Sequence, residues 1–143
     1  MSDYQLPEVW EAPNQMGGAW GGLNQPTAGA RFEQTLPKGD QPFQLYTLPT
    51  PNGIKTTIML EELKELGVDA GYDAYRIKIG EGDQFGSDFV AINPNSKIPA
   101  MLDQSGAQAI RVFESANILL YLAEKFGKLI PTDLAKRTEV LNW

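Results

Sequence analysis

Between residues 43 and 127, the order of apolar and polar positions predicts alternating strands and helices. Apolar and polar residues alternate over residues 43–48, which indicates a strand. The following segment, up to about residue 66, has the spacing of a helix, and its charged residues lie mostly outside one apolar stripe. A second strand is predicted over residues 72–79, and residues 84–92 are interpreted as a short helix. The apolar stripe consists of Ile54, Ile58, Met59, Leu63 and Leu66.

The next part of the pattern predicts a strand pair followed by a long helix. Residues 98–103 and 109–113 are expected to be strands joined by a short polar loop, and residues 114–126 follow a helical repeat. The element order is therefore βαβ-α-ββα. A strand–helix–strand crossover makes a parallel pair, and a short loop makes an antiparallel pair. The sequence thus predicts an α/β fold with a four-stranded mixed sheet flanked by helices. The helical repeat consists of Ser115, Ile118, Leu119, Leu122 and Phe126.

Composition divides the chain into three parts. Residues 1–42 form a Pro/Gly-rich N-terminal extension, with five Pro and six Gly. Such a composition is typical of irregular chain, so the extension is either a disordered leader or an arm that lies over its own domain or a partner subunit. Residues 43–128 form the predicted α/β domain. Residues 129–143 are interpreted as a linker and the start of a helical domain that we expect to be truncated in this chain.

Charge and composition weigh against several classes of protein. The 143 residues carry a net charge of −6, and the Lys and Arg residues form no run. Broad binding to nucleic acid needs a basic face, so no nucleic-acid partner is expected. The sequence contains no apolar stretch of the length that spans a membrane and no secretory signal at its start, so we expect no membrane partner and a cytoplasmic location.

The chain contains no Cys and no His. This excludes a disulfide, a protein thiol nucleophile, a zinc site of the usual Cys/His type and a Ser-His-Asp triad. Imidazole is also the group that normally titrates near neutral pH. No metal is therefore expected, and a reactive group at neutral pH is expected to come from a ligand.

Two helix starts and one proline carry the candidate chemistry. Thr50 is a favourable N-cap and Pro51 suits the first helical position, and both have a simple interpretation as capping residues. Glu114 and Ser115 also lie at a helix start, where free N–H groups and the positive helix end suit a carboxylate. Capping alone is worth about 1 kcal/mol and would explain these residues without a ligand. Pro99 is either the marker of a strand start or part of a binding site.

Three segments resemble the N-terminal half of a cytosolic glutathione transferase, namely Leu48–Leu66, Asn93–Pro99 and Phe113–Leu122. The Thr-Pro-Asn entry to the first helix, the long leader and the loop Gly82–Phe85 resemble the bacterial nu class. That class is associated with disulfide-bond reductase activity that uses glutathione. The resemblance, which extends from about Trp20 onward, implies a thioredoxin-like fold and a homodimer. Glutathione would be the co-substrate, and the second substrate would be a small thiol, a disulfide or an electrophile.

The resemblance also implies a role for each candidate residue. Thr50 and Asn52 are implied as the catalytic residues, because they would stabilise the thiolate of glutathione. The backbone of Ile98, before a cis Pro99, would pair with the cysteinyl part of the tripeptide as an added strand does. The implied glutathione-binding residues are Asn24, Thr50, Pro51, Asn52, Gln84, Lys97, Ile98, Pro99, Glu114 and Ser115.

Within that set, Ser115 would meet the γ-glutamyl carboxylate and Glu114 the γ-glutamyl ammonium. Lys97 would meet the glycyl carboxylate, Gln84 would be a further polar contact, and Asn24 would reach the site from the leader. Two functions remain open. The chain is either the glutathione-binding domain of a thiol transferase or disulfide reductase, or a non-catalytic docking and assembly module of the same fold.

Overall fold

The computed structural model describes residues 5–6, 8–9, 21–24 and 29–143, and the rest of the predicted N-terminal extension lies outside the described residues. Four strands and four helices form the described part, together with the 3₁₀ turns Gly21–Asn24 and Asp83–Phe85. The strands are β1 (Phe43–Thr47), β2 (Tyr72–Arg76), β3 (Ala100–Asp103) and β4 (Ile110–Phe113). The helices are α1 (Pro51–Glu65), α2 (Ser87–Ile92), α3 (Ser115–Phe126) and α4 (Leu134–Asn142).

The four strands form one mixed sheet in the order β2-β1-β3-β4. Strands β1 and β2, which flank α1, are parallel, and β3 runs antiparallel to both β1 and β4. This confirms the prediction of an α/β fold with a four-stranded mixed sheet. It follows from connection length, because the helical crossover returns the chain in the same direction and the short loop reverses it.

The central strand β1 is buried along its whole length and separates two hydrophobic cores. Phe43 and Leu45 face the core beneath α1 and α3, whereas Tyr46 faces the core on the side of α2. Successive side chains of a strand point to opposite faces, so this short strand contributes to both cores. Helices therefore cover both faces of the sheet.

The predicted apolar stripe of α1 is wrong at three positions. Ile54, Ile58 and Leu66 are 45%, 55% and 49% exposed. The buried side of this helix consists of Gly53, Thr56, Met59, Leu60 and Leu63. The Thr56 hydroxyl donates to the Gly53 carbonyl at 2.7 Å. A polar side chain that is satisfied within its own helix can be buried, and two small residues let the helix approach the sheet closely.

Predicted boundaries differ from the structure by one or two residues at several strands, including β3, which begins at Ala100 rather than at residue 98. Two elements differ by more. Strand β2 ends at Arg76 rather than at residue 79, because its partner β1 ends at Thr47, opposite Arg76. The predicted helix over residues 84–92 is divided at Gly86, whose backbone is extended, into a 3₁₀ turn and α2.

Residues 29–42 of the predicted extension lie against the domain. The Arg31 N–H donates to the Phe85 carbonyl at 2.9 Å, and the Ser87 N–H donates to the Phe32 carbonyl at 2.9 Å. Further along, the Leu36 N–H donates to the Asp88 carboxylate at 2.9 Å. The domain partners in these bonds lie in or just before α2, more than fifty positions along the chain. The bonds therefore hold this part of the extension on the α2 side of the sheet. No helix in the described part of the chain is long and apolar enough to cross a membrane.

Candidate functional site

The start of α1 is built by the Thr-Pro-Asn-Gly run. Thr50 is the N-cap, with extended backbone, and its hydroxyl oxygen accepts from the Gly53 N–H at 3.1 Å. The Ile54 N–H donates to the Thr50 carbonyl at 2.9 Å, which is the first helical bond. Pro51 has no N–H to satisfy. Among the described residues, this leaves the Asn52 N–H as the first-turn backbone donor without a partner.

Gly53 lets this helix start lie against the end of β1. A Cβ at Gly53 would lie 2.0 Å from the Leu48 carbonyl oxygen and 2.6 Å from the Thr47 hydroxyl oxygen. Any larger residue would therefore have to move the helix away from the strand. The close approach fixes Thr50 and Asn52 relative to the sheet.

Two side-chain donors lie beside the free Asn52 N–H. The Thr50 hydroxyl uses its oxygen as the cap acceptor, so its own O–H can donate elsewhere. The Asn52 side-chain oxygen accepts from the Lys55 ammonium at 3.1 Å, which leaves the NH₂ group of the amide as a donor. The start of α1 therefore presents two side-chain donors and one backbone donor to whatever lies in front of it.

A buried asparagine shapes the loop before β3. Asn93 is fully buried, its side-chain NH₂ group donates to the Lys97 carbonyl at 2.6 Å, and its side-chain oxygen accepts from the Asn95 N–H at 2.9 Å. This loop leads into the Ile98–Pro99 peptide bond, which is cis, as the resemblance implies. The backbone N–H and carbonyl of Ile98 make no hydrogen bond to another described residue, so both are open to an extended peptide.

The start of α3 differs from that of α1 because it has no side-chain cap. Glu114 precedes the helix with a positive φ of 70°, and its carboxylate accepts from the Asn95 side chain at 3.1 Å. The first helical bond runs from the Ile118 N–H to the Glu114 carbonyl at 2.9 Å. In the described structure, the N–H groups of Ser115, Ala116 and Asn117 therefore lack acceptors. Three such donors at the positive end of a helix make a natural site for a carboxylate.

Sheet register brings these three elements to one edge. Tyr46, near the end of β1, is opposite Ala100, and Ala100 is opposite Phe113 in β4. The loop to Thr50 follows β1, the Ile98–Pro99 bond precedes Ala100, and Glu114 follows Phe113. Because β3 is antiparallel to both neighbours, the start of β3 lies beside the ends of β1 and β4. Residues that are far apart in sequence therefore meet at one edge of the sheet.

The remaining predicted residues lie in different settings. The Lys97 ammonium donates to the Leu23 carbonyl at 2.8 Å, which ties the loop before β3 to the turn Gly21–Asn24. Asn24 ends that turn, and its side chain lies outside the described residues. Gln84 is only 2% exposed, and its NH₂ group donates to the Ile79 carbonyl at 3.3 Å. The Gln84 side-chain oxygen is buried without a partner among the described residues, so it retains an unused acceptor.

Sequence reasoning assigns no role to Gly53, Lys55, Asn93 or Asn95. The Asn-Pro-Asn run belongs to the family resemblance, yet its first residue organises the loop and its third holds Glu114. Lys55 follows Asn52 by three positions, a spacing at which helical side chains meet, so this contact has a signal in the sequence. Within the described ranges, no group of three or more acidic residues is placed to hold a metal ion.

Residues 51–125 match the family model described as Glutathione S-transferase, N-terminal domain. The chain belongs to the glutathione S-transferase family. The disulfide-bond oxidoreductase YghU of Escherichia coli is 60% identical over 141 residues, which cover 98% of this chain and 49% of that protein. The chain thus spans about half the length of the curated relatives that it matches.

Solved structures of this family share the fold. The crystal structure of glutathione transferase YghU from Streptococcus pneumoniae, complexed with glutathione, has a TM-score of 0.87 and 68% identity. That match covers 98% of this chain and 54% of the other. A family member from Pseudomonas fluorescens, with two glutathione molecules bound, has a TM-score of 0.63 and 44% identity over 72% of this chain and 44% of its own. These neighbours confirm the thioredoxin-like fold that the resemblance implies.

Proposed function

We propose that the chain binds glutathione at the edge where β1, β3 and β4 meet, and that it is the glutathione-binding domain of a disulfide-bond reductase or thiol transferase. The observation that carries the proposal is the meeting of three open sets of donors and acceptors. They are the donors at the start of α1, the backbone of Ile98, and the uncapped N–H groups of α3. Each set matches one part of a γ-glutamyl tripeptide.

The start of α3 suits the γ-glutamyl end. Its three free N–H groups and the Ser115 hydroxyl supply donors for a carboxylate, and a helix of twelve residues adds its positive end. The Glu114 carboxylate, held by Asn95, supplies a negative partner for the ammonium. A zwitterionic head group therefore meets a negative carboxylate at Glu114 and the positive end of α3, which begins at the next residue.

The backbone of Ile98 suits the middle of the peptide. An extended peptide that pairs with an open N–H and carbonyl gains the same bonds as a strand added to a sheet edge. This role depends on the backbone alone, so the loop that Asn93 organises matters more than the side chain of Ile98. At the glycyl end, Lys97 supplies positive charge beside the leader turn.

The start of α1 suits the sulfur. A free thiol has a pKa of about 8.5, and lowering it by about two units requires roughly 2.7 kcal/mol of preference for the thiolate. A helix N-terminus supplies about 0.3–1 kcal/mol, and a hydrogen bond to a charged group about 1.5–3 kcal/mol. The Thr50 hydroxyl, the Asn52 N–H and the Asn52 amide are therefore sufficient in magnitude without a general base.

The chemistry needs two thiols from outside this chain, because the chain has no Cys. The first thiolate attacks one sulfur of the substrate disulfide, forms a mixed disulfide and releases the other sulfur as a thiolate. A second glutathione thiolate then attacks the glutathionyl sulfur, which gives oxidised glutathione and releases the remaining substrate thiolate. Two glutathiones are oxidised and one disulfide is reduced. The neighbour that binds two glutathione molecules supports this stoichiometry.

The test combines binding and turnover. Glutathione is titrated into the 143-residue chain, and reduction of a small disulfide by glutathione is then followed. Thr50→Ala and Asn52→Ala are expected to slow turnover at least tenfold, which corresponds to the loss of about 1.4 kcal/mol. Thr57→Ala is the matched control, because the Thr57 hydroxyl lies on the same helix and donates to the Ile54 carbonyl at 2.9 Å. Unchanged rates in the Thr50 and Asn52 variants would contradict the mechanism.

A docking or assembly role is the second candidate, and the exposed apolar surface of α4 favours it. Leu134 and Leu141 are 79% and 56% exposed, and Trp143 is fully exposed. Beside them runs a groove of about 350 Å³ between α1, α3 and α4. Failure to bind millimolar glutathione would favour docking over catalysis. The homodimer and the cytoplasmic location stay predictions.

A further inference from the structure

Lys55 makes one contact that the mechanism above leaves unexplained. Its ammonium donates to the side-chain oxygen of Asn52 at 3.1 Å. The two residues are three positions apart on the first turns of α1. Within the described part of the chain, the Lys55 side chain makes no other hydrogen bond.

The contact determines which way the Asn52 amide faces. An ammonium can only donate, so the atom opposite it must be the amide oxygen rather than the NH₂ group. The oxygen and nitrogen share one planar carbon, so the NH₂ group faces away from Lys55. Without this contact, the exposed amide could rotate and offer either its oxygen or its nitrogen to a ligand. An oxygen beside a thiolate would repel it.

The charge of Lys55 acts in the same direction. The first turn of α1 contains no acidic residue, although acidic residues usually stabilise that end of a helix. A bound thiolate at this end would therefore have a lysine cation nearby with no carboxylate between them in the first turn. A nearby positive charge favours the ionised form of a thiol. An ammonium bonded to the amide oxygen also polarises the amide, which makes its N–H groups better donors.

We infer that Lys55 is a positioning residue that holds the Asn52 amide with its NH₂ group available to the bound thiolate. The inference rests on the proposed function, since it concerns the ionisation of glutathione at the start of α1. The pairing of Lys55 with Asn52 then lowers the pKa of the bound thiol. A contact that neither orients the amide nor brings positive charge near the thiol would leave that pKa unchanged.

The test measures the pKa of the bound thiol. Glutathione is bound to the chain and the ultraviolet absorbance of the thiolate is followed with pH, with S-methylglutathione as the blank that cannot ionise at sulfur. Lys55→Met is expected to raise the pKa of the bound thiol by about half a unit, which is about a threefold loss of thiolate below that pKa. Lys55→Arg keeps a donor and the charge, so the pKa of the bound thiol is expected to stay close to its value in the unmodified chain. Affinity for S-methylglutathione is expected to stay within about twofold, because the contact orients the amide and does not hold the peptide.

Lys64→Met is the matched control on the same helix. Lys64 pairs with Glu61 at 3.1 Å at the same spacing of three residues, and it lies near the opposite end of α1. If Lys55→Met matches Lys64→Met while Asn52→Ala still raises the pKa of the thiol, the inference is wrong and the proposed function stands. If Asn52→Ala also has no effect, or if the unmodified chain shows no thiolate signal, the proposed function fails and the inference fails with it.

Discussion

Asp103 joins two elements of the edge that we propose binds glutathione, and its removal is expected to give a measurable loss of stability. Asp103 lies at the end of β3 and is 1% exposed. Its carboxylate pairs with the Lys125 ammonium at 2.8 Å and accepts from the Tyr121 hydroxyl at 2.6 Å, both on α3. It also accepts from the Ser105 N–H at 2.9 Å and from the Ser105 hydroxyl at 2.6 Å. The network therefore fixes β3, which begins after Pro99, against α3, which begins at Ser115.

The size of the expected stability loss follows from the pKa of Asp103. Burial by itself raises this pKa, but the hydrogen bonds from Lys125, Ser105 and Tyr121 outweigh it and lower the pKa from its ordinary value of 3.8 to about 2. At about 1.4 kcal/mol per pKa unit, this gap corresponds to about 2 kcal/mol of folding free energy. Because the pKa is lowered in the folded state, the contribution is fully present above about pH 4. It is lost as the pH falls through about 2.

Asp103→Asn is therefore expected to lower the free energy of unfolding by about 2 kcal/mol at about pH 7, because the amide keeps the shape and loses the charge. The measurement is urea unfolding of both proteins, followed by far-ultraviolet circular dichroism over a series of pH values. The difference in free energy of unfolding between the two proteins is expected to narrow between about pH 4 and about pH 2. Glu81→Gln is the control, since Glu81 pairs with Lys78 at 3.1 Å on an exposed surface and such pairs contribute little. An equal gap at all pH values, or none at neutral pH, would refute the reasoning.

Two further substitutions test the scaffold of the site. Gly53→Ala is expected to lower the melting temperature and weaken glutathione binding, because the new Cβ would lie 2.0 Å from the Leu48 carbonyl oxygen. Gly80→Ala, whose Cβ would meet nothing within 4 Å, is expected to leave glutathione binding unchanged, and equal effects of the two would contradict the steric argument. Asn93→Ala is expected to cost about 2 kcal/mol or more in urea unfolding and to weaken glutathione affinity in calorimetry, because a fully buried side chain loses two hydrogen bonds. An unchanged affinity would show that this loop does not position Ile98.

Local chemistry explains why much of the fold could be predicted. Alternation over residues 43–48, the Thr50 cap and the helical repeat after residue 114 depend on near neighbours in the chain, so one sequence reveals them. The parallel and antiparallel pairs then follow from the length of the connections. The absence of Cys and His is a property of composition alone, and from it the sequence predicts that a reactive thiol comes from a ligand.

The predictions are weaker where a residue's environment comes from distant parts of the chain. Periodicity places Ile54 and Ile58 on the buried side of α1, but the structure buries Thr56 and exposes both. Hydropathy records what a side chain prefers, whereas burial depends on how closely the helix can approach the sheet. Here that approach is set by Gly53 and by Thr56, whose hydroxyl is hydrogen-bonded within its own helix.

By itself the sequence determined the element order, the two helix starts and the kinds of group that each start presents, because caps, turns and periodicity are local. Only the tertiary structure decided that these groups meet. Tyr46, Ala100 and Phe113 are neighbours across three strands, and that register brings the loops at residues 48–50, 98–99 and 114–115 to one edge. The same packing placed Asn95 against Glu114 and Lys97 against the leader turn. Register is a property of paired strands rather than of any one strand, so no single segment of the chain contains it.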